Sequence, residues 1–396
     1  MNTYKWFFLI VIASVLISCA GESEDELIGD WQKRASFTLE PRSYAATFVI
    51  GDKGYVCCGS TGSRQGPVKH VLVFDHTTPN GSWSVLKSFP GPAREKAVGF
   101  SLKVKGKDYG FIGTGWNGYL EKLYKDFWCY DPEKEDTEDD AWIEVAPLPK
   151  NGYPRRGAIA FSLKVGDKEY GYVGFGWTGD LIDEEVGNLY LADLYRFDPE
   201  GTTVIDGQTY MGEWEVVKGY GGDKRLGAAV FIIENAAYIC TGENPSSPTG
   251  YAIDFWKFDP DGERKGNPLW TGTPTLRPMA ETNKDEDYDD DYGTLKRMFG
   301  SAYVVKLPDG QGMRGHIVGG SPNSQTWEYD HINDLWIQRT TFINNSGGRS
   351  AREGMIAFTF KTSGRAFIGM GRSGSKNYED MWEFIPLIED EIHTDI

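Results

Sequence analysis

"KDFWCYDP", residues 125–132, has the composition of one short buried strand closed by a turn, with aromatic and apolar residues ending in Asp-Pro. The chain writes the same phrase again as "ADLYRFDP" at 192–199 and "IDFWKFDP" at 253–260, and in looser form as "HVLVFD" at 70–75 and "DMWEFIP" at 380–386. A strand that recurs at a regular interval belongs to a repeating unit, so its neighbours decide what the unit is.

Upstream of each copy lies an aromatic-apolar run ending in glycine: "GYVCCG" (54–59), "YGFIGTG" (109–115), "YGYVGFG" (170–176), "AYICTG" (237–242), "HIVGG" (316–320) and "AFIGMG" (366–371). Further upstream stands an arginine followed by small and apolar residues: Arg42, Arg94, Arg156, Arg225, Arg297 and Arg352. Downstream comes a lone tryptophan, at Trp83, Trp142, Trp214, Trp270 and Trp336. Six units share this order, each with four strand-like segments, and successive arginines are 52 to 72 residues apart.

Arginine before the first strand, glycine ending the second, an aromatic third strand and tryptophan in the fourth resemble the kelch repeat. The likeness spans nearly the whole chain after its first residues, although a true glycine pair stands only at Gly319-Gly320. It implies an all-β fold: a six-bladed kelch β-propeller with four antiparallel strands per blade. One such sheet exposes both faces, so blades must stack, with large aromatic side chains filling the wedge between them. The sixth unit has no downstream tryptophan, whereas "GDWQKRASF" at 29–37 carries Trp31 ahead of the first arginine. An N-terminal strand is therefore expected to complete the last blade and close the ring, which leaves no open sheet edge. The expected organisation is a signal segment at 1–18, an acidic tether at 19–29, the propeller at 30–386 and an acidic tail at 387–396.

Lys5 followed by the apolar run Trp6–Ile17 is long enough for a signal-peptide core and too short to span a bilayer. "LISC" at 16–19 resembles the lipobox of bacterial lipoproteins, which makes Cys19 the lipidated first residue and a lipid the membrane partner. The acidic "AGESEDE" after it is similar to the surface-export signal of Bacteroidota lipoproteins. Outer-membrane display at the cell surface is expected, with the periplasmic leaflet as the alternative.

The chain holds 58 acidic and 41 basic residues, a net charge of −17, which argues against a nucleic-acid backbone as the main partner. Cys57, Cys58, Cys129 and Cys240 sit in apolar runs without metal-type spacing. The five histidines, at 70, 76, 316, 331 and 393, are scattered among blade positions, so the copper site of galactose oxidase, another kelch propeller, has no counterpart. "KDEDYDDDYG" at 284–293 lacks the glycine and closing glutamate of a calcium loop and reads as a solvated insertion. No cofactor or metal is expected.

If the six arginines line the mouth of the central channel, they make a positive throat suited to a carboxylate, sulfate or phosphate. Trp116 and Trp177 occupy matching glycine-flanked loops and offer apolar faces for a sugar ring, with Asn117, Tyr119, Asn244, Asn323 and Tyr378 as polar partners. Glu95 and Glu353 follow Arg94 and Arg352 directly. Strand alternation puts each Glu on the opposite side from its Arg, so a channel-facing arginine turns the glutamate away from catalysis. Two functions stay open. The first, favoured for want of a catalytic set, is a lipid-anchored module binding an anionic or neutral glycan, or a surface protein, on its arginine face. The second is an isomerase that resembles sialic-acid mutarotase, with arginines on the sugar carboxylate and Glu95 or Glu353 moving the proton.

Overall fold

The structure is a computed structural model that describes residues 27–389, apart from 39, 63–65, 138–139, 180–188, 273–294, 309 and 343–350. Cys19, the signal segment, most of the tether, the end of the tail and the acidic insertion at 284–293 lie outside the described residues.

Six four-stranded antiparallel sheets form a six-bladed β-propeller. Blade one runs Ala46–Ile50, Lys53–Cys57, Val71–Asp75, Ser82–Val85 from axis to rim. The innermost strands of blades two to five are Val98–Val104, Ile159–Val165, Ala229–Ile233 and Ser301–Lys306. Blade six takes Ile356–Phe360, Arg365–Gly369 and Met381–Glu389 from the C-terminal end and Ile28–Arg34 from the N-terminal end. The closing pair is antiparallel, with Trp31 opposite Phe384 and Arg34 opposite Met381, so the ring closes as the position of Trp31 predicts. Cys57, Cys58, Cys129 and Cys240 are buried free thiols.

The fourth-strand tryptophans fill the wedges, and four of them also clasp the neighbouring blade, whereas the indole N–H groups of Trp142 and Trp336 are buried without an acceptor among the described residues. The indole N–H of Trp83 donates to Ala35 O (2.7 Å), Trp214 to Ala146 O (2.8 Å), Trp270 to Lys218 O (3.0 Å) and Trp31 to Thr340 O (3.0 Å), in each case a carbonyl just past the outer strand of the preceding blade. A buried indole gains most when its one polar atom finds an acceptor.

Around the axis, two closed rings of main-chain hydrogen bonds fix the blades. In the first, Tyr44 N–H donates to Gly354 O, Gly354 to Phe299, Phe299 to Gly227, Gly227 to Gly157, Gly157 to Lys96 and Lys96 back to Tyr44, at 2.8–3.0 Å. All six residues are left-handed, with φ between 52° and 64°. This conformation turns the N–H toward one neighbour and the C=O toward the other. It is free for Gly157, Gly227 and Gly354, and costs roughly 1–2 kcal/mol at Tyr44, Lys96 and Phe299. In the second ring, the glycine ending each second strand donates to the arginine carbonyl of the next blade: Gly59 to Arg94, Gly115 to Arg155, Gly176 to Arg225, Gly242 to Arg297, Gly320 to Arg352 and Gly371 to Arg42. That ring runs through Arg155. The sixth equivalent arginine is thus Arg155 and not Arg156, a distinction the adjacent pair "RR" hid in the sequence.

Candidate ligand-binding site

The ring arginines do not point into the channel. Arg42, Arg94, Arg155, Arg225, Arg297 and Arg352 are all buried, each inside its own blade. Arg94 makes a two-pronged ion pair with Asp126 (2.9 and 2.6 Å) and also donates to Thr114 O (2.9 Å). Arg155 does the same with Asp193 and Phe175 O, and Arg352 with Asp380 and Met370 O. Arg225 pairs with Asp254. These aspartates open the recurring phrase, in "KDFW", "ADLY", "IDFW" and "EDMW", and the tryptophan two residues on donates its indole N–H to the same carboxylate at Asp126, Asp254 and Asp380. Where the phrase lacks aspartate, other acceptors serve: Glu40 and His70 O for Arg42, Gly319 O and Gln325 O for Arg297. The expected arginine throat is therefore corrected to a set of blade-internal clamps, because an aspartate of the same blade takes up four of the guanidiniums and Glu40 or main-chain carbonyls take up the other two.

Since alternate residues face opposite ways, burying the arginine turns its successor outward to the axis. That successor bridges the residue following the terminal glycine of strand two, giving six pairs around the mouth: Ser43/Ser60, Glu95/Trp116, Arg156/Trp177, Leu226/Glu243, Met298/Ser321 and Glu353/Arg372. Glu95 and Glu353 thus stand at the axis, contrary to the expected orientation, and Arg156 joins them with Trp116 and Trp177. The other members, Glu243 and Arg372, and the floor residues Tyr44 and Lys96 were missed in the sequence. Counting one or two places from each arginine and one from each glycine finds all four.

The floor is a plug. Tyr44 and Phe299 meet edge to face at 5.1 Å, and Lys96 Nζ lies 4.6 Å and 5.1 Å from their ring centroids. The glycines of the first ring make the room: a Cβ at Gly354 would fall 2.4 Å from the Tyr44 ring, and one at Gly227 2.9 Å from Phe299. Beneath the plug a channel of about 770 Å³, lined by Thr47, Ser101, Ser162 and Thr359 among others, opens on the opposite face.

Above the plug, charges of both signs converge from several blades. Arg372 Nε donates to Glu353 Oε1 at 3.0 Å. Burial, reinforced by the Glu353 charge, pushes the Tyr44 hydroxyl far above its usual range, so it stays protonated. Tyr190, beside Glu243, is pushed up to about 12 by burial and that carboxylate. Lys96 is held below the usual lysine value, mainly by burial and further by Arg156 and Arg372, against the pull of Glu95 and Glu353. The Arg156 guanidinium packs against both indoles, 4.1 Å from Trp116 and 4.3 Å from Trp177, whose rings are 6.4 Å apart and 29° from parallel. Its Nε is buried without a hydrogen-bond partner, and among the described residues no carboxylate lies within ion-pairing distance of it.

The proposed polar partners hold the loops. Asn117 Oδ1 accepts from the N–H groups of Tyr119 and Leu120 (both 3.1 Å) while its Nδ2 donates to Ala93 O, and Asn244 Oδ1 accepts from Ser246 N–H. Asn323 donates to Lys296 O, and the Tyr378 ring packs 3.7 Å from the Arg352 guanidinium. Tyr119 stays exposed at its hairpin tip.

No protein-family model matches the chain, and no curated protein matches it. Among solved structures, one described as "Structure of YjhT" superposes with a TM-score of 0.57, covering 88% of this chain and 95% of that one at 16% sequence identity. The likeness is one of fold.

Proposed function

We propose that this chain is a kelch-type propeller that binds a small anionic ligand, a carboxylated saccharide, at the plugged end of its axis, with Arg156 as the anchor. The observation that carries this reading is Arg156 itself: a half-buried guanidinium braced by two indoles and, among the described residues, without a carboxylate partner. A charge-assisted hydrogen bond to such a group contributes about 1.5–3 kcal/mol. Glu95 and Glu243 flank it and accept from hydroxyls on either side of the bound anion, which favours a polyhydroxylated acid over a bare anion. Calorimetry with sialic acid against a neutral sugar of similar size tests this: binding of the acid alone supports it, and equal binding of both favours a neutral glycan or a protein partner.

Catalysis of the sialic-acid mutarotase type is the second reading. Glu95, Glu353 and Lys96, all capable of moving a proton, stand together at the same floor. An NMR measurement of anomer exchange decides it, since a pure binding module leaves the uncatalysed rate unchanged.

Anchoring through a lipid on Cys19, with display at the outer membrane, fits this geometry. Ile28 pairs with Glu389 at the end of blade six away from the mouth, so a tether entering there leaves the site facing away from the bilayer. Cys19→Ala should shift the protein from the membrane to the soluble fraction, and retention after a carbonate wash contradicts the anchor.

A further inference from the structure

We infer that Lys96 is a nucleophile that captures the carbonyl carbon of a 2-oxo acid as an imine while Arg156 holds the neighbouring carboxylate. This rests on the anion-site reading above and adds a covalent step to it.

Placement comes first. Lys96 sits in the first hydrogen-bonded ring, its N–H on Tyr44 O and its C=O accepting from Gly157, in a left-handed conformation with φ 54°. Three of the six equivalent positions are glycine, and only Tyr44 and Phe299 share the strain of a large side chain there. Both main-chain groups are tied, and from blade two the side chain reaches across the ring of blades to the Tyr44 and Phe299 rings of blades one and five.

The amine is also uncommitted. Among the described residues Nζ has no hydrogen bond or ion pair, and it lies over the Tyr44 and Phe299 rings. Four charged groups act on it from three blades: Glu95 beside it in the chain, Arg156, and the Glu353–Arg372 pair, with the protonated Tyr44 hydroxyl next to that pair. Burial and the two guanidiniums lower its proton affinity and outweigh the opposing pull of Glu95 and Glu353. A desolvated lysine near cationic groups is the arrangement in which an amine serves as nucleophile.

The step balances without an oxidant or reductant. The lone pair of neutral Nζ attacks the carbonyl carbon, a C–N bond forms, and the C=O π pair moves to oxygen. Nitrogen then gives up its two protons to that oxygen, with Glu95 or Glu353 as carrier, and water leaves the imine behind. A 2-oxo acid suits the site because its carboxylate is attached directly to the carbonyl carbon. A simple ketone lacks that handle.

The test is borohydride trapping of the purified protein with pyruvate, followed by peptide mapping. The expected result is a reduced pyruvate adduct on Lys96 well above the level on surface lysines, and no such excess with acetone. Lys96→Gly, which suits the left-handed backbone, and Lys96→Arg, which keeps a cation over the rings, should both lose the excess label. If pyruvate binds by calorimetry yet no adduct forms at Lys96, the imine is overturned while the anion site stands. If Arg156→Gln abolishes neither binding nor labelling, or if acetone labels Lys96 as well as pyruvate does, the 2-oxo acid assignment is overturned. If no carboxylate binds at all, the anion-site reading falls too.

Discussion

Two adjacent arginines, 155 and 156, show what decides function at the scale of one residue. Arg155 is buried and paired with Asp193; Arg156 is half-buried and pairs with no carboxylate among the described residues. Removing one partner of a buried ion pair strands the other, so Arg155→Ala should cost about 3–5 kcal/mol in urea unfolding. Arg156→Ala should change stability by less than about 1 kcal/mol and abolish anion binding. Equal destabilisation by the two would show that both are clamps. The sequence made the repeat legible, because arginine, glycine, the aromatic strand and tryptophan recur in fixed order. It also implied that Glu95 and Arg94 face opposite ways. What it could not reveal was which of the two faces the axis, since that depends on a partner, Asp126, some thirty residues away. The aspartate heads four of the phrases, but nothing within a single strand marks it as the partner of a distant arginine.

At the scale of the strand, blade five buries a histidine–carboxylate pair. Its second and third strands place His316 opposite Glu328, where blade three has Tyr172 opposite Arg196. Glu328 accepts from His316 Nε2 (3.0 Å) and from Arg339 (3.1 and 2.9 Å), while His316 stacks flat on Tyr303 at 4.9 Å. Burial pushes the Glu328 carboxyl up, but these donors outweigh it and hold it down to about 2, against an ordinary 4.5. A depressed carboxylate stabilises the fold above its unfolded value, so its contribution is complete above pH 4.5 and fades as pH falls toward 2. The shift corresponds to roughly 3 kcal/mol. Urea midpoints between pH 6 and pH 3 should therefore fall, and Glu328→Gln should be less stable at pH 6 and lose part of that slope. An unchanged slope would mean that another group carries the acid sensitivity.

For the whole molecule, closure is the dominant fact. Ile28–Arg34 supplies the outer strand of blade six, and Trp31 packs against Phe384 (4.9 Å), Phe342 (5.1 Å) and Tyr303 (6.0 Å), which joins blades five and six. Trp31→Ala should cost about 3–5 kcal/mol. Deleting the strand should cost more, because it also exposes the edge of Met381–Glu389; a deletion variant that melts with the parent would refute the role of the strand. A closed ring with a plugged axis leaves two unlike ends: an open channel lined by apolar, hydroxyl and charged side chains of the innermost strands, and a floor of Tyr44, Lys96 and Phe299 ringed by charge. We place the ligand at the second end, with Arg156 as its anchor. The most direct test is calorimetric titration of sialic acid into the parent protein and Arg156→Gln at two salt concentrations. The account predicts binding to the parent that weakens with salt, because part of the attraction is screened Coulomb energy, and none to the variant. Binding that survives in Arg156→Gln, or that is indifferent to salt, would contradict it.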